Sequence, residues 1–209
     1  MTKHFFFWPA LLIFQLLAVA LISWHLLALV DFLYPVAYRV LGIEQTIAKN
    51  APTNQFRQNF GATSKQEHFR LFGEIVDAIQ ADGKGLEQIT YPSKSGQADA
   101  SISSITLLRD AEIVHLKDVA RVIDVFYVAG TSGGIAWALL AFYAYRQKMK
   151  LPASRSILLG FLTVLALSAA VVLLIGPQAV FYWLHTVVFP EGHQRFFYYH
   201  ESLMTMLMQ

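Results

Sequence analysis

The sequence of 209 residues contains no cysteine. Disulfides, thiolate metal sites and a cysteine nucleophile are therefore excluded. Charge is sparse too: 14% of the residues are Asp, Glu, Lys or Arg, with 16 basic side chains against 14 acidic ones. So even a balance implies no nucleic-acid partner. No internal repeat or low-complexity tract is present.

The scarcity of charge is uneven, and the gaps carry the first structural signal. Some 56% of the chain is hydrophobic, above the share usual in soluble domains. Phe5–Val30 holds no Asp, Glu, Lys or Arg and exceeds the ~20 residues needed to cross a bilayer. Val125–Tyr145 and Ser156–Ile175 are two further runs of this kind. Transmembrane helices are predicted over about 5–30, 122–145 and 156–176. The first run is too long for a signal h-region and ends in no small-x-small site, so it reads as an uncleaved helix. A shorter apolar stretch, 179–189, follows Gly176-Pro177 and reads as an interfacial or re-entrant segment.

Orientation follows from positive charge. The short loop after the second run holds Arg146, Lys148, Lys150 and Arg155 and no acid, which assigns it to the cytoplasm. Lys3 agrees. The loop 34–121 and the tail 190–209 then lie on the outer face, with His115, His185, His193 and His200 all on that side. The expected architecture is an all-α, polytopic helical membrane protein, a single membrane domain with a partly helical extracytoplasmic loop.

Within that loop, Asn50-Ala-Pro52 breaks any long helix. Ser64 and Glu67 form a capping box, and Phe69, Phe72, Ile75, Val76 and Ile79 then follow helical spacing until Gly83. His68, at the start of this helix, is expected to be solvated. Ile89-Thr-Tyr91 and Ser101-Ile-Ser103 could form short strands.

The most informative stretch is Arg109–Arg121, which leads into the second run from a helix expected to begin near Thr106. In a continuous helix, Glu112, His115 and Asp118 recur every third residue on neighbouring faces. An imidazole flanked by carboxylates at a membrane surface suits proton chemistry on a lipid-like substrate. The simpler reading of the spacing is a solvated charged turn anchoring a helix end. His25, deep in the first run, is a functional candidate as an intramembrane ionisable group, or a neutral histidine bonded to a neighbouring helix. Gly130-Thr-Ser-Gly-Gly134 matches the Gly-x-Ser-x-Gly of a hydrolase elbow, but lacks the strand–turn–helix context. The same residues spell Gly-x-x-x-Gly, a face for close helix packing, and that reading is preferred to a Ser132 nucleophile.

Two segments together resemble one family. Glu112-Ile-Val-His-Leu-Lys-Asp-Val119 is similar to the "REIxHxxDVK" signature of the lipoprotein intramolecular transacylases. Leu184-His-Thr-Val-Val-Phe-Pro-Glu-Gly192 is similar to that family's second signature, "FHxxFF". The resemblance departs at Ala111, where the family often has Arg, and at Leu184 and Val188, which replace phenylalanines. The chain also stops where the family's fourth transmembrane helix should begin, so that helix is lacking in this branch or lies beyond Gln209.

The resemblance implies an enzyme of the bacterial cytoplasmic membrane with its active site on the extracytoplasmic face. It would move the sn-2 acyl chain of a lipoprotein's diacylglyceryl-cysteine onto that cysteine's α-amino group, giving the lyso form. The implied partners are diacylated lipoproteins and membrane lipid. No cofactor and no metal are expected. The family's functional histidines carry over onto His115, expected as general base, and His185, expected as its partner at one apolar cavity. Glu112 and Asp118 are candidates to orient His115. The alternatives are an intramembrane serine hydrolase using Ser132 and His185, a weak metal site drawing on Glu112, His115, His193 and His200, and a structural membrane protein.

Overall fold

A computed structural model describes residues 6–94, 102–194 and 196–208. Lys3, Phe5, Ser101, Arg195 and Gln209, which entered the sequence reading, lie outside the described residues. In chain order the elements are α1 (Phe7–Ala28), α2 (Tyr34–Val40), α3 (Ile43–Asn50), α4 (Lys65–Gln80), β1 (Thr90–Lys94), β2 (Ile102–Thr106), α5 (Asp110–Arg146), α6 (Ser154–Ile175), α7 (Pro177–Val188) and α8 (Leu203–Leu207). The all-α expectation holds, with one small antiparallel hairpin whose register sets Tyr91 opposite Ile105. Three helices, α1, α5 and α6, are long and apolar enough to cross a membrane.

The chain divides into two compact units, one of residues 1–22 and 126–191, the other of 23–125 and 192–209. In the first, α1 and α6 bury none of their residues against protein. Apolar surface on that scale belongs in lipid rather than in water. Close packing within this unit falls at the glycines of α5. A Cβ added at Gly130 would lie 2.6 Å from Leu21 Cβ of α1, and one at Gly133 would lie 3.0 Å from Leu17 Cβ. The small-residue face thus lets α1 approach closely at Gly130 and Gly133, while Gly134, the second glycine of the Gly-x-x-x-Gly pair, stands at ordinary contact distance from Ala18.

The second unit has a conventional apolar core. Tyr34, Tyr38, Ile43, Ile47, Phe60, Leu71, Ile75, Tyr91, Leu107, Leu116, Leu203 and Met206 are all nearly inaccessible. Tyr34 stacks on Phe72 at a centroid distance of 3.8 Å, and its hydroxyl donates to the Leu207 carbonyl at 2.9 Å. The chain's last helix, α8, is therefore folded into this core. The sequence signals for local structure act as expected here. Helix α3 ends at Asn50, before Pro52. The Ser64 side chain caps α4 by accepting from the Glu67 N–H, and Gly83, at φ +73°, closes the helix through its N–H to the Ala78 carbonyl.

Two expectations are corrected. Thr106 ends β2, and the helix begins four residues later, at Asp110. The β-branched threonine completes the ladder opposite Thr90, and Leu107 continues it by donating its N–H to the Ile89 carbonyl. His68 is buried, not solvated. It heads the stripe of α4 that continues through Leu71, Phe72, Ile75, Val76 and Ile79, all buried. Thr63 donates its hydroxyl to the Phe60 carbonyl at 2.6 Å, so it must accept from His68 Nε2–H at 2.7 Å. Nδ1 then accepts from the Tyr38 hydroxyl at 2.8 Å. Burial pushes the Tyr38 hydroxyl up to about 12, and burial holds the His68 imidazole below its ordinary value.

That histidine makes stability pH-dependent in a defined direction. The unfolded chain takes up a proton at His68 near pH ~6.5, whereas the folded chain resists until its lowered value is reached. Stability is complete above ~6.5 and falls with pH between the two values, by at most about 1.4 kcal/mol per pH unit. The thermal midpoint of the detergent-solubilised protein should drop as pH falls below ~6.5, less so in His68→Gln. Equal slopes in both proteins would contradict the assignment.

Candidate functional site

Helix α5 is 37 residues long, or about 55 Å at 1.5 Å per residue. That is longer than the ~30 Å hydrocarbon thickness, and the charged residues of the helix are concentrated at its start, 110–124. Far from being a solvated turn, this start is buried along one face. Glu112 is 1% exposed, Asp118 4% and His115 8%. The i, i+3, i+6 spacing turns all three inward because Leu116 and Ala120, buried between and after them, belong to the same inner stripe.

Each side chain has a distinct setting. Glu112 stands at the third position of α5 and reaches back to the Arg109 N–H, which donates to its Oε2 at 2.8 Å. That is the reciprocal half of a capping box. Its Oε1 accepts the Ser202 hydroxyl at 2.5 Å and the Met204 N–H at 3.3 Å. Ser202 in turn caps α8. One carboxylate therefore joins the start of α5 to the start of α8. Burial raises its pKa, against the opposing pull of these donors and of Arg109.

Asp118 accepts from Arg121 Nη1 at 2.7 Å through Oδ1. Its Oδ2 accepts from His193 Nδ1–H at 2.6 Å. The His193 side chain keeps 37% of its surface, so the pair is a buried carboxylate holding a reachable imidazole. His115 lies one turn before Asp118 and packs against Phe197, ring centroids 5.3 Å apart. His193 thus sits on Asp118 and Phe197 on His115, both on the inward face of α5. Residues near them are tied to other parts of the second unit. Gln194 Nε2 donates to Glu201 Oε1 and to the Phe196 carbonyl, both at 3.0 Å. Asn54 Nδ2 donates to the Tyr199 carbonyl at 3.1 Å, and the Gln55 N–H to the His200 carbonyl at 2.8 Å.

His185 belongs to the first unit, in the last turn of α7. Its ring packs on Phe181 at 4.0 Å and Phe189 at 5.1 Å, and Nδ1 lies 3.3 Å from the Phe181 carbonyl. His25 is exposed on α1. His200 is exposed and stacks on Tyr198. Ser132 is exposed in mid-helix, with α5 unbroken through it and no strand–turn–helix elbow. Ser132→Ala should accordingly leave turnover within about threefold. Gly130→Ala, which forces a side chain against Leu21, should cost about 1–3 kcal/mol of stability through overpacking. A large loss of turnover in a folded Ser132→Ala protein, with Gly130→Ala silent, would reverse that view.

Sequence reasoning overlooked Phe197 and Ser202, and considered His193 only as a weak metal ligand. A signal for His193 and Phe197 was present. His193-Gln-Arg-Phe196-Phe197 meets the His-x-x-Phe-Phe part of the second signature at every defined position, whereas His185-Thr-Val-Val188-Phe189 misses one phenylalanine. The model of one protein family, described as lipoprotein intramolecular transacylase Lit, matches residues 10–209. No curated protein and no solved structure matches the chain.

Proposed function

Since the chain belongs to the lipoprotein intramolecular transacylase family, we propose that it moves the sn-2 acyl chain of a diacylglyceryl-cysteine onto the α-amino group of that cysteine. The observation that carries the assignment of residues is the bond of His193 to Asp118 across 75 positions, with Phe197 packed on His115 beside it. In the proposed reaction the amine nitrogen attacks the sn-2 ester carbonyl. A new N–C bond forms, the ester C–O bond breaks, the nitrogen loses a proton and the glycerol oxygen gains one. Nucleophile and ester belong to one molecule, so the enzyme mainly positions them and moves protons.

His193 is the better placed base. Asp118 holds its Nδ1–H, which fixes the tautomer, directs Nε2 outward and stabilises the imidazolium that forms. The α-amino group has a reference pKa near ~8, within reach of an imidazole. His115, one turn away on the same face, is assigned to the developing oxyanion or the leaving alkoxide. This exchanges the roles expected from sequence and puts His193 where His185 had been assigned. The Phe181 and Phe189 contacts of His185 favour a packing role in α7. Glu112 is assigned to hold the site together rather than to orient His115, because its oxygens receive Arg109, Ser202 and Met204. The site is assigned to the extracytoplasmic face of a bacterial membrane, because the positive-inside rule gives the basic loop 146–155 to the cytoplasm.

Mass spectrometry of lipoprotein N-termini, from cells with and without this protein, tests the reaction. An N-acylated, lyso-glyceryl cysteine should appear only with the protein. Unchanged diacylglyceryl-cysteine in both would refute it.

A further inference from the structure

The first unit carries a groove of about 570 Å³ at the end of α5 that bears the basic loop, within the ~300–1,000 Å³ range of small-molecule sites. Trp8, Leu11 and Gln15 of α1 form one wall, and Trp137, Tyr145 and Lys148 stand opposite. No carboxylate lines it. Two tryptophans and a tyrosine beside a lysine are the composition of a membrane interface, with apolar ring faces below and polar tips above.

Lys148 is the informative member. Helix α5 closes with the Met149 N–H on the Ala144 carbonyl at 3.0 Å, which makes Lys148 the residue after the cap of a Schellman motif. That position is left-handed, with φ +50° at Lys148, and glycine ordinarily fills it because a Cβ costs roughly 1–2 kcal/mol there. A lysine keeps this strained place with its side chain on the groove. Arg146, Lys150 and Arg155 add positive charge nearby in sequence, again without an acid.

We propose that this groove binds an anionic glycerophospholipid of the leaflet facing the basic loop, its acyl chain between Trp8 and Trp137 and its phosphate at Lys148. The site is separate from the His115–Asp118–His193 cluster and does not depend on the reaction assigned there.

Brominated lipid, which quenches tryptophan on contact, tests it. The full chain has four tryptophans; Trp24→Phe and Trp183→Phe leave Trp8 and Trp137 as reporters. This protein is reconstituted in phosphatidylcholine vesicles containing equal small fractions of dibrominated phosphatidylglycerol or dibrominated phosphatidylcholine. The anionic lipid should quench more strongly, with a preference of about fivefold, the effect of one cation near an anionic surface. Lys148→Gly, which suits the left-handed backbone and so preserves the fold, should bring the preference close to one. Arg155→Gln, off the groove, should leave most of it. Equal quenching by the two lipids, a preference that survives Lys148→Gly, or one lost as fully in Arg155→Gln would each overturn the proposal.

Discussion

His193→Ala should lower acyl transfer by about 10²–10⁴-fold, the usual cost of losing general acid–base help, while the thermal midpoint stays close to that of the parent. His193 is a partly exposed side chain on a loop, so its removal opens no core cavity. Asp118→Asn should cost a comparable factor for a different reason. The amide can still meet the ring, but it neither fixes the tautomer nor stabilises the imidazolium. His185→Ala should keep the rate within a few-fold of the parent. Quantifying lyso-form product from a defined diacylated lipopeptide checks all three. Loss of transfer in His185→Ala, with His193→Ala active, would restore the assignment made from sequence.

Glu112→Ala should be the most damaging change to stability. It strips the partners from the Arg109 N–H, the Ser202 hydroxyl and the Met204 N–H at once. Removing one member of such a buried charged network typically costs about 3–5 kcal/mol, or roughly 6–20 °C in midpoint for a chain of this size. Because α8 starts at the same carboxylate, the 202–208 segment should become the first site of proteolysis. Glu112→Gln should cost less, since burial already favours the neutral form, yet its NH₂ must face donors that the carboxylate accepted. An unchanged midpoint in Glu112→Ala would remove Glu112 from the joint between α5 and α8. A midpoint drop without any loss of transfer per folded molecule would fit its assigned structural part.

Helices long and apolar enough to cross a membrane were legible because charge-free runs have few physical outcomes, and Phe7–Ala28 and Ser154–Ile175 are such helices. Local rules were equally reliable at Ser64, Asn50 and Gly83, where the partner lies within five residues, whereas the Glu67 carboxylate pairs with Arg70 instead of closing the capping box. His68 could have been read correctly, since it heads the stripe of Leu71, Phe72 and Ile75 at helical spacing. What no periodicity reaches is a contact such as Asp118–His193 or Glu112–Ser202, made across 75 and 90 positions. Those depend on His193 meeting the start of α5 and on α8 finding the core of the second unit. The first motif was found because its three residues sit on one helix. We propose reading the second motif on His193 rather than His185, because Phe196-Phe197 follows His193 at the signature's spacing, whereas His185 needs Leu184 and Val188 as stand-ins for phenylalanine.

The central claim is that His115 and His193 form one proton-handling centre, and a double-mutant cycle addresses it most directly. Transfer rates are measured on one diacylated lipopeptide for the parent, His115→Asn, His193→Ala and the double variant. Groups that act as a unit are strongly non-additive, so the double variant should be no more than about tenfold slower than the slower single one. Effects that multiply, or a His193→Ala protein that transfers at the parental rate, would contradict it.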